Sequence, residues 1–144
     1  MTPPAPSRRY TLPRTHRLKR RRLIASLFDR SRTDVCTVAK GSVRLLYRWA
    51  TLENVGHAVP IQVGFAPGRS HSTNVQRTQI RRYLRETYRQ HQYVLRDALP
   101  EDAPPLIAML LFRGRPDEAR DRIPHDLPRG LRAAAQHLPP LQEG

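Results

Sequence analysis

Carboxylates are the first side chains in this sequence that could do chemistry, because grouped Asp and Glu residues hold the catalytic metal ions of many hydrolases. Asp117, Glu118 and Asp121 lie close together, but they stand between Arg115 and Arg122, and no second carboxylate group accompanies them. Such a cluster is typical of a solvated loop. We therefore predict no catalytic residue and no metal site in this chain.

Other nucleophiles and metal ligands are isolated along the chain. The 6 histidines are scattered without ligand spacing, and Cys36 is the single cysteine, which excludes an intramolecular disulfide and a Cys-rich zinc site. No glycine-rich phosphate-binding motif occurs. Hydrolysis by this polypeptide alone is therefore not predicted.

Arginine is the chemically active residue type that is present in excess. The chain of 144 residues has 26 Lys and Arg against 12 Asp and Glu, a net charge of +14. The excess lies within residues 1–100, in two blocks at 14–22 and 77–96. Fields of this strength attract phosphate backbones. The composition therefore favours a protein that binds nucleic acid, although the block at 14–22 equally fits a solvated basic arm.

Membrane and secretory segments are not expected. No apolar stretch approaches the roughly 18 residues that a membrane span requires. The first residues contain no apolar segment typical of a secretory signal. We therefore expect a cytoplasmic protein with no membrane partner.

One stretch combines the arginines with helical periodicity. A capping box at Thr73 and Gln76 begins it, and apolar side chains form one stripe as far as about Leu95. Arginines recur every four residues on another stripe, with one more beside them. They are Arg77, Arg81, Arg82, Arg85 and Arg89. The pattern predicts a long helix with one face in the core and a row of guanidinium groups on another.

The remaining elements follow from hydrophobic periodicity. We predict a helix at 15–29, strands at 35–38, 43–50, 58–66 and 106–112, a polar loop at 113–124, and a last helix capped by Asp126. In the second strand, Val43, Leu45, Tyr47 and Trp49 share one face. The order α-β-β-β-α-β-α predicts an α/β fold, an α+β sandwich with helices packed on a four-stranded sheet. We expect one domain at 14–138, between a flexible Pro-rich basic arm at 1–13 and a frayed tail at 139–144.

The segment 64–88 resembles the bacterial ribonuclease P protein component. In that family, the third strand is followed by Gly-x-Ser-Val-Ser-Lys-Lys and then by a helix with the pattern Arg-Asn-Arg-x-Lys-Arg-x-x-Arg-x-x-Phe. Here three arginines match the helix pattern, Arg81 stands in place of Lys, and Tyr88 in place of Phe. Residues 12–28 similarly resemble the basic segment and first helix of the family. The chain departs from the pattern at Thr78 and Gln79, which replace Asn and the second arginine.

The resemblance implies a role as the protein subunit of ribonuclease P. In the family, an RNA subunit uses Mg²⁺ to remove the 5′ leader of precursor tRNA, and the protein contributes no catalytic side chain. This chain would then belong to an endoribonuclease only as a subunit. It would bind the RNA subunit and precursor tRNA, hold no cofactor itself, and be monomeric as a protein. The resemblance also implies a left-handed β-α-β crossover.

The same resemblance assigns site residues. The arginine helix would contact the RNA subunit through Arg77, Arg81, Arg82, Arg85 and Arg89. The single-stranded leader needs an electropositive groove with exposed rings, since each stacked base contributes about 1–3 kcal/mol. The candidates for leader binding are Phe28 on the first helix, Tyr47 on the second strand and Arg69 after the third strand. Either aromatic ring could instead be an ordinary core residue.

Two other classes of function remain open at this point. A structural RNA-binding protein of the ribosome can be equally basic and equally small. A DNA-binding module could place the arginine helix in a major groove, but the chain before Ser72 is strand-like and provides no partner helix for a helix-turn-helix.

Overall fold

The computed structural model describes residues 10–68 and 72–141. The main elements are helix α1 (Arg21–Leu27), strands β1 (Cys36–Lys40) and β2 (Val43–Trp49), the one-turn helix α2 (Leu52–Val55), strand β3 (Ile61–Ala66), helix α3 (Asn74–Arg96), strand β4 (Leu106–Phe112) and helix α4 (Ala119–Gln136). Short 3₁₀ turns at Arg14–His16 and Pro116–Glu118 precede α1 and α4. The predicted order of helices and strands is confirmed, with α2 as an added turn. None of the helices in the described ranges is long and apolar enough to cross a membrane.

The four strands form one mixed sheet in the order β1-β2-β4-β3. Strand β2 pairs antiparallel with both β1 and β4, whereas β4 pairs in parallel with β3. Strand β4 is therefore central, and its near-continuous apolar sequence is buried on both faces. Strands β3 and β4 with α3 between them form the predicted β-α-β unit, whose handedness stays a prediction.

Helices α3 and α4 cover one face of the sheet and enclose the larger core. The apolar stripe of α3 packs on β3 and β4, and a matching stripe of α4 packs on β1 and β2, whose inward residues include Leu45 and Tyr47. The helix residues are Ile80, Leu84, Tyr88, Leu95, Ile123, Leu127, Leu131 and Ala134. At Gly130 the α4 backbone approaches the sheet closely, because an added Cβ would lie 2.8 Å from a methyl group of Leu45.

The opposite face of the sheet is only partly covered. Helix α1 and the turn α2 bury a second, smaller core over β2 and β4, formed by Leu18, Leu23, Leu27, Leu46, Ala50, Val55, Ile107 and Met109. None of the helices in the described residues covers the part of this face next to the C-terminal ends of β3 and β4. We call this whole face of the sheet, including the part under α1 and α2, the open face.

A segment at the start of the described chain runs along the β3 edge of the sheet. In this edge segment (residues 10–18), the N–H of Leu18 donates to the carbonyl of Val63 at 3.0 Å, and the Gln62 amide donates to the carbonyl of Thr15 at 2.8 Å. Leu12 packs in the core under α3, whereas Leu18 packs in the core under α1. The segment therefore wraps around the edge from one core to the other.

The edge segment corrects the predicted start of the first helix. A helix from residue 15 is wrong because pairing with β3 holds residues 17 and 18 extended. Helix α1 begins only at Arg21, and its N-cap, Arg20, makes no side-chain capping hydrogen bond.

The predicted loop at 113–124 is also wrong in its second half. Helix α4 begins at Ala119 and continues through Pro124 and Pro128, and Asp126 does not cap it. Each proline in a helix interior costs about 3 kcal/mol. The buried stripe that α4 presents to α3 and the sheet outweighs this cost.

The packed part of the chain reaches past both predicted domain boundaries. Leu12 and Pro139 are both buried, although the expected domain spans 14–138. The carbonyl of Pro139 accepts a hydrogen bond from the Trp49 indole at 2.7 Å. Residues 1–9 of the expected arm and 142–144 of the expected tail lie outside the described residues.

Candidate nucleic-acid interface

A groove of about 580 Å³ opens on the uncovered part of the open face, beside the C-terminal end of α1. Its floor is the sheet, at Leu46 of β2 and Leu111 of β4. Its polar and aromatic lining comes from four separate parts of the chain and comprises Phe28, Asp29, Arg30, Arg32, Thr37, Arg44 and Arg113. The groove thus combines an apolar floor with cationic walls.

Phe28 provides an exposed ring at the groove. It is the C-cap of α1, where its N–H donates to the Ala25 carbonyl at 3.1 Å and ends the helix. Leu27, the preceding residue, is buried against the sheet, so Phe28 is directed away from the core. The side chain is 46% exposed, which is unusual for Phe. The ring is therefore accessible to solvent at the groove.

Most of the positive charge in the groove is uncompensated. Arg32 forms a two-pronged ion pair with Asp34, with N···O distances of 2.8 and 2.9 Å. The hydrogen bond from Arg32 holds the pKa of Asp34 below its ordinary value. No ion pair or side-chain hydrogen bond engages Arg30, Arg44 or Arg113 within the described part of the chain. Three guanidinium groups are therefore available to an anionic ligand.

Tyr47 does not lie in the groove, which corrects the prediction for this residue. Its side chain is 1% exposed and packs in the core under α4. The hydroxyl donates to the carbonyl of His137 at 2.7 Å, just after the end of α4. Burial raises the pKa of Tyr47 to about 12. The ring is a structural residue because the alternation of β2 directs it to the helix-covered face, where no base can reach it.

The arginine row of α3 lies on the other side of the sheet from the groove. Arg81 and Arg82 are exposed, whereas Arg77 and Arg85 are partly exposed, and no ion pair holds any of these four within ranges 10–68 and 72–141. The helix begins with the predicted capping box between Thr73 and Gln76. The long helix and its cationic row are thus present as predicted.

Arg89 differs from the other four arginines of the row. Its guanidinium donates to the carbonyl of Tyr10 at 2.7 Å and pairs with Glu86 at 3.1 Å. One turn further along α3, the Gln92 amide donates to the carbonyl of Thr11 at 2.9 Å. The C-terminal half of α3 therefore holds the edge segment, and Arg89 has a structural partner in addition to any ligand.

Arg69, the third residue predicted to bind the leader, lies outside the described residues. Gly68, which precedes it in the sequence, lines the groove at the end of β3. Gly68 has a φ of 78°, a conformation that favours glycine.

A buried arginine joins α1 to the sheet next to the groove. Arg48 is 6% exposed, and its Nε donates to the Ser26 hydroxyl at 3.0 Å, while its Nη1 donates to the Trp49 carbonyl at 2.8 Å. Burial, and then the nearby charge of Arg32, lowers the pKa of Arg48. The guanidinium nevertheless stays charged at neutral pH. Arg48 therefore ties α1, which ends at Phe28, to strand β2.

Within the residues that the structure describes, neither surface gathers a set of catalytic groups. In the described ranges, no three His, Cys, Asp or Glu side chains are close enough to hold a metal ion. Asp117 pairs with Arg115 at 3.3 Å and Glu118 with Arg122 at 3.9 Å, on the outside of the molecule. Burial raises the pKa of the Cys36 thiol, so this group is not activated as a nucleophile. The groove and the arginine row of α3, the two basic surfaces, can each bind and orient an anion.

Sequence reasoning missed the cationic walls of the groove. Arg30, Arg44 and Arg113 come from a loop, a strand and a strand end that are distant in sequence. One signal was available for Arg44, because the alternation of β2 places it with Leu46 on the face opposite Tyr47. No pattern in the sequence identifies the other two arginines.

One protein family and two solved structures are similar to this chain. A sequence profile of the family described as Ribonuclease P matches residues 12–102. The structure resembles that of the Staphylococcus aureus RNase P protein, with 15% sequence identity, a TM-score of 0.57, and coverage of 83% of this chain and 94% of that chain. It also resembles a mutant of the S. aureus protein with defective mRNA degradation activity, with 14% identity, a TM-score of 0.56, and coverage of 83% and 87%. These two likenesses show a shared fold. No curated protein sequence is significantly similar to this chain.

Proposed function

The chain belongs to the ribonuclease P family, and from this premise we propose that it binds the catalytic RNA subunit and the 5′ leader of precursor tRNA, and thereby assists removal of the leader. One observation carries the proposal. Two cationic surfaces, the groove with its exposed ring and the arginine row of α3, lie on opposite sides of one sheet. Such a protein can bind two RNA elements at once.

The groove fits a single strand of RNA. A base stacked on the ring of Phe28 would leave its flanking phosphates beside the guanidinium groups of Arg30, Arg44 and Arg113. Stacking accepts every base, because each base has an aromatic face. Charge on the groove walls holds the backbone without reading the sequence. Leaders of different sequence could therefore bind in the same way.

The arginine row of α3 fits the surface of a folded RNA. Arg77, Arg81, Arg82 and Arg85 occupy a little over two turns of a rigid helix. The deep major groove of an RNA helix is narrow, so proteins contact such helices mostly through phosphates and 2′-hydroxyls. Arginine suits these contacts because its planar group forms two hydrogen bonds to one phosphate.

The proposed contribution to the reaction is binding and orientation. In this proposal the RNA subunit holds the Mg²⁺ and carries out the hydrolysis, and the protein supplies no reacting group. Cations on the protein replace some of the metal ions that otherwise screen repulsion between two RNAs. We therefore expect the protein to lower the Mg²⁺ concentration needed for cleavage.

The test is cleavage of precursor tRNA by the cognate RNA subunit at low Mg²⁺. Wild-type protein should restore cleavage, whereas Arg81→Ala/Arg85→Ala should not. The matched control is Arg120→Ala/Arg132→Ala, which removes two exposed arginines from α4 and should behave as wild type. Rescue by both double variants would move the RNA-subunit contact away from α3. No rescue by wild type would contradict the proposed function and favour a structural RNA-binding protein of the ribosome.

A further inference from the structure

An exposed aromatic ring lies against the C-terminal half of α3, where the edge segment crosses this helix. The ring of Tyr10 meets the ring of Tyr93 edge to face, with the two centroids 5.4 Å apart and an angle of 81° between the planes. Such a contact occupies at most one face of a ring, and Tyr10 is 46% exposed. The Tyr10 ring is therefore held in place while much of its surface stays open to solvent.

Side chains of α3 also fix the backbone that carries this ring. The carbonyl of Tyr10 accepts a hydrogen bond from Arg89, and the carbonyl of Thr11 accepts one from Gln92. Leu12, the next residue along the chain, is buried in the core under α3. A ligand that stacks on an already ordered ring loses less conformational entropy on binding.

The ring stands at the end of the arginine row. Arg96 follows Arg85 by 11 residues, or about three helical turns, so the two side chains lie on the same side of α3. The guanidinium of Arg96 lies over the ring of Tyr93, 5.0 Å from its centroid. Helix α3 contains six arginines and a single acidic residue, Glu86. The cationic surface therefore extends along the helix as far as the exposed ring.

We propose that Tyr10 stacks on an unpaired base of the RNA subunit, while arginines of α3 bind the phosphates around that base. The inference rests on the proposed function, in which α3 contacts the RNA subunit, and it adds a contact with a base to the contacts with phosphates. Unpaired bases in the loops and bulges of folded RNA stack on aromatic side chains. Bases inside a double helix are covered on both faces by their neighbours, so the ring selects an unpaired nucleotide.

The position of Tyr10 favours the RNA subunit over other partners. Tyr10 contacts α3, whereas the groove proposed for the leader opens on the opposite face of the sheet. A leader bound in the groove would have to pass around the sheet to reach the ring. A protein partner would have to supply acidic groups for the arginines of α3, whereas RNA carries a phosphate at every nucleotide.

Titration of the RNA subunit with protein variants tests the proposal. Tyr10→Leu keeps an apolar side chain against Tyr93 but removes the ring. It should lower the affinity for the RNA subunit about 5- to 150-fold, the equivalent of one stacked base, at an unchanged free energy of unfolding in urea. Tyr10→Phe keeps the ring and should bind as wild type does.

The salt dependence of binding distinguishes the ring from the arginines. Stacking involves no net charge, so Tyr10→Leu should leave the slope of log affinity against log salt unchanged. Arg85→Ala should make the same slope shallower by about 0.7–0.9, the value for one phosphate contact. A shallower slope for Tyr10→Leu would contradict stacking, because it would show that the variant had displaced the arginines.

Tyr10→Trp gives a direct signal from the proposed contact. The wild type has a single tryptophan, Trp49, so its fluorescence provides the background. Stacking of a base on the added indole should quench fluorescence on addition of the RNA subunit, by more than any change seen for wild type. Absence of this additional quenching would contradict the proposal.

A matched control and three outcomes decide the assignment. Leu52→Ala removes another exposed apolar side chain, from α2 on the other side of the sheet, and should leave the affinity for the RNA subunit unchanged. Wild-type affinity of Tyr10→Leu would overturn the inference, as would a loss of affinity matched by a loss of stability. Weaker binding of precursor tRNA with normal binding of the RNA subunit would overturn it too and assign the ring to the substrate. If wild type does not bind the RNA subunit, the proposed function itself fails.

Discussion

Asp126 of α4 accepts two hydrogen bonds from Ser42, one from the backbone N–H at 2.8 Å and one from the hydroxyl at 2.7 Å. Ser42 lies in the turn between β1 and β2, after Gly41, whose φ of 56° favours glycine. Asp126 is 1% exposed. Burial would raise its pKa, but the hydrogen bonds from Ser42 and the charges of His125 and Arg122 hold the pKa below its ordinary value. One carboxylate thus fixes a hairpin turn to the helix layer.

Asp126→Asn should lower the free energy of unfolding by about 1–3 kcal/mol, because the N–H of Ser42 would lose a charged acceptor. Since the folded pKa of Asp126 is below the unfolded value of 3.8, the carboxylate stabilises the wild type at neutral pH, and this contribution is lost as the pH falls through and below that value. Urea unfolding of wild type and variant at neutral pH and at a pH below 3.8 measures this change in the free energy of unfolding. An equal destabilisation by Asp126→Asn at neutral and acidic pH would contradict this assignment.

Phe28→Ala should weaken leader binding with little effect on stability, because the ring is exposed at the groove. Loss of one stacked base corresponds to about 1–3 kcal/mol of binding free energy. The measurement compares the affinities of the holoenzyme for precursor tRNA and for mature tRNA. Only the affinity for the precursor should fall.

Tyr47→Phe should lower stability and leave leader binding unchanged, which is the reverse of the expectation for Phe28→Ala. Removing the hydroxyl leaves the His137 carbonyl without its donor, which costs about 1 kcal/mol of stability. Because the ring lies under α4, affinity for the leader should be unchanged. Thermal or urea unfolding and the same pair of tRNAs check both expectations. A loss of leader affinity with normal stability would return Tyr47 to the binding site.

Arg48→Met should weaken leader binding even though Arg48 itself is buried beneath α1. The variant keeps most of the side-chain volume but removes the hydrogen bond to Ser26 that positions the helix. Ser26→Ala removes the same bond from the other side and should lower leader affinity to a similar, several-fold extent. Binding of the RNA subunit alone should stay normal in both variants, and a parallel loss there would indicate general misfolding.

Arg89→Ala should lower stability by about 0.5–1.5 kcal/mol, because it removes one of the two hydrogen bonds through which α3 side chains hold the edge segment. Arg82→Ala is the matched variant, since Arg82 is exposed on the same helix and has no such partner in the described ranges. It should weaken RNA-subunit binding at unchanged stability. Urea unfolding and titration of the RNA subunit distinguish the two. Equal stability of both variants would show that the edge segment does not depend on Arg89.

Local signals in the sequence predicted the elements that local forces determine. The capping box at Thr73 and Gln76 and the apolar spacing of α3 predicted that helix closely, and the run 106–112 predicted β4 at its observed bounds. The alternation in β2 assigned its two faces correctly. Such patterns depend only on residues within one helix or strand. Tertiary contacts therefore did not alter the predicted elements.

Features that depend on distant contacts were not predictable in the same way. Residues 15–18 read as helix because their pairing partner, Val63 of β3, is far away in sequence. The polar stretch that ends at Pro124 indicated a loop, whereas packing against α3 keeps the chain helical from Ala119 onward. The groove walls assemble from several segments, and burial of Tyr47 depends on α4 covering its face of the sheet. Tertiary packing decided each of these cases.

The strand order β1-β2-β4-β3 has a consequence for synthesis of the protein on the ribosome. The central strand, β4, is the last strand to be translated, and β3 has no strand partner until β4 arrives. Helix α4, which closes the larger core, follows later still. The nascent chain therefore holds its arginine-rich elements before it holds a complete sheet. Completion of the sheet must therefore wait until β4 has been translated.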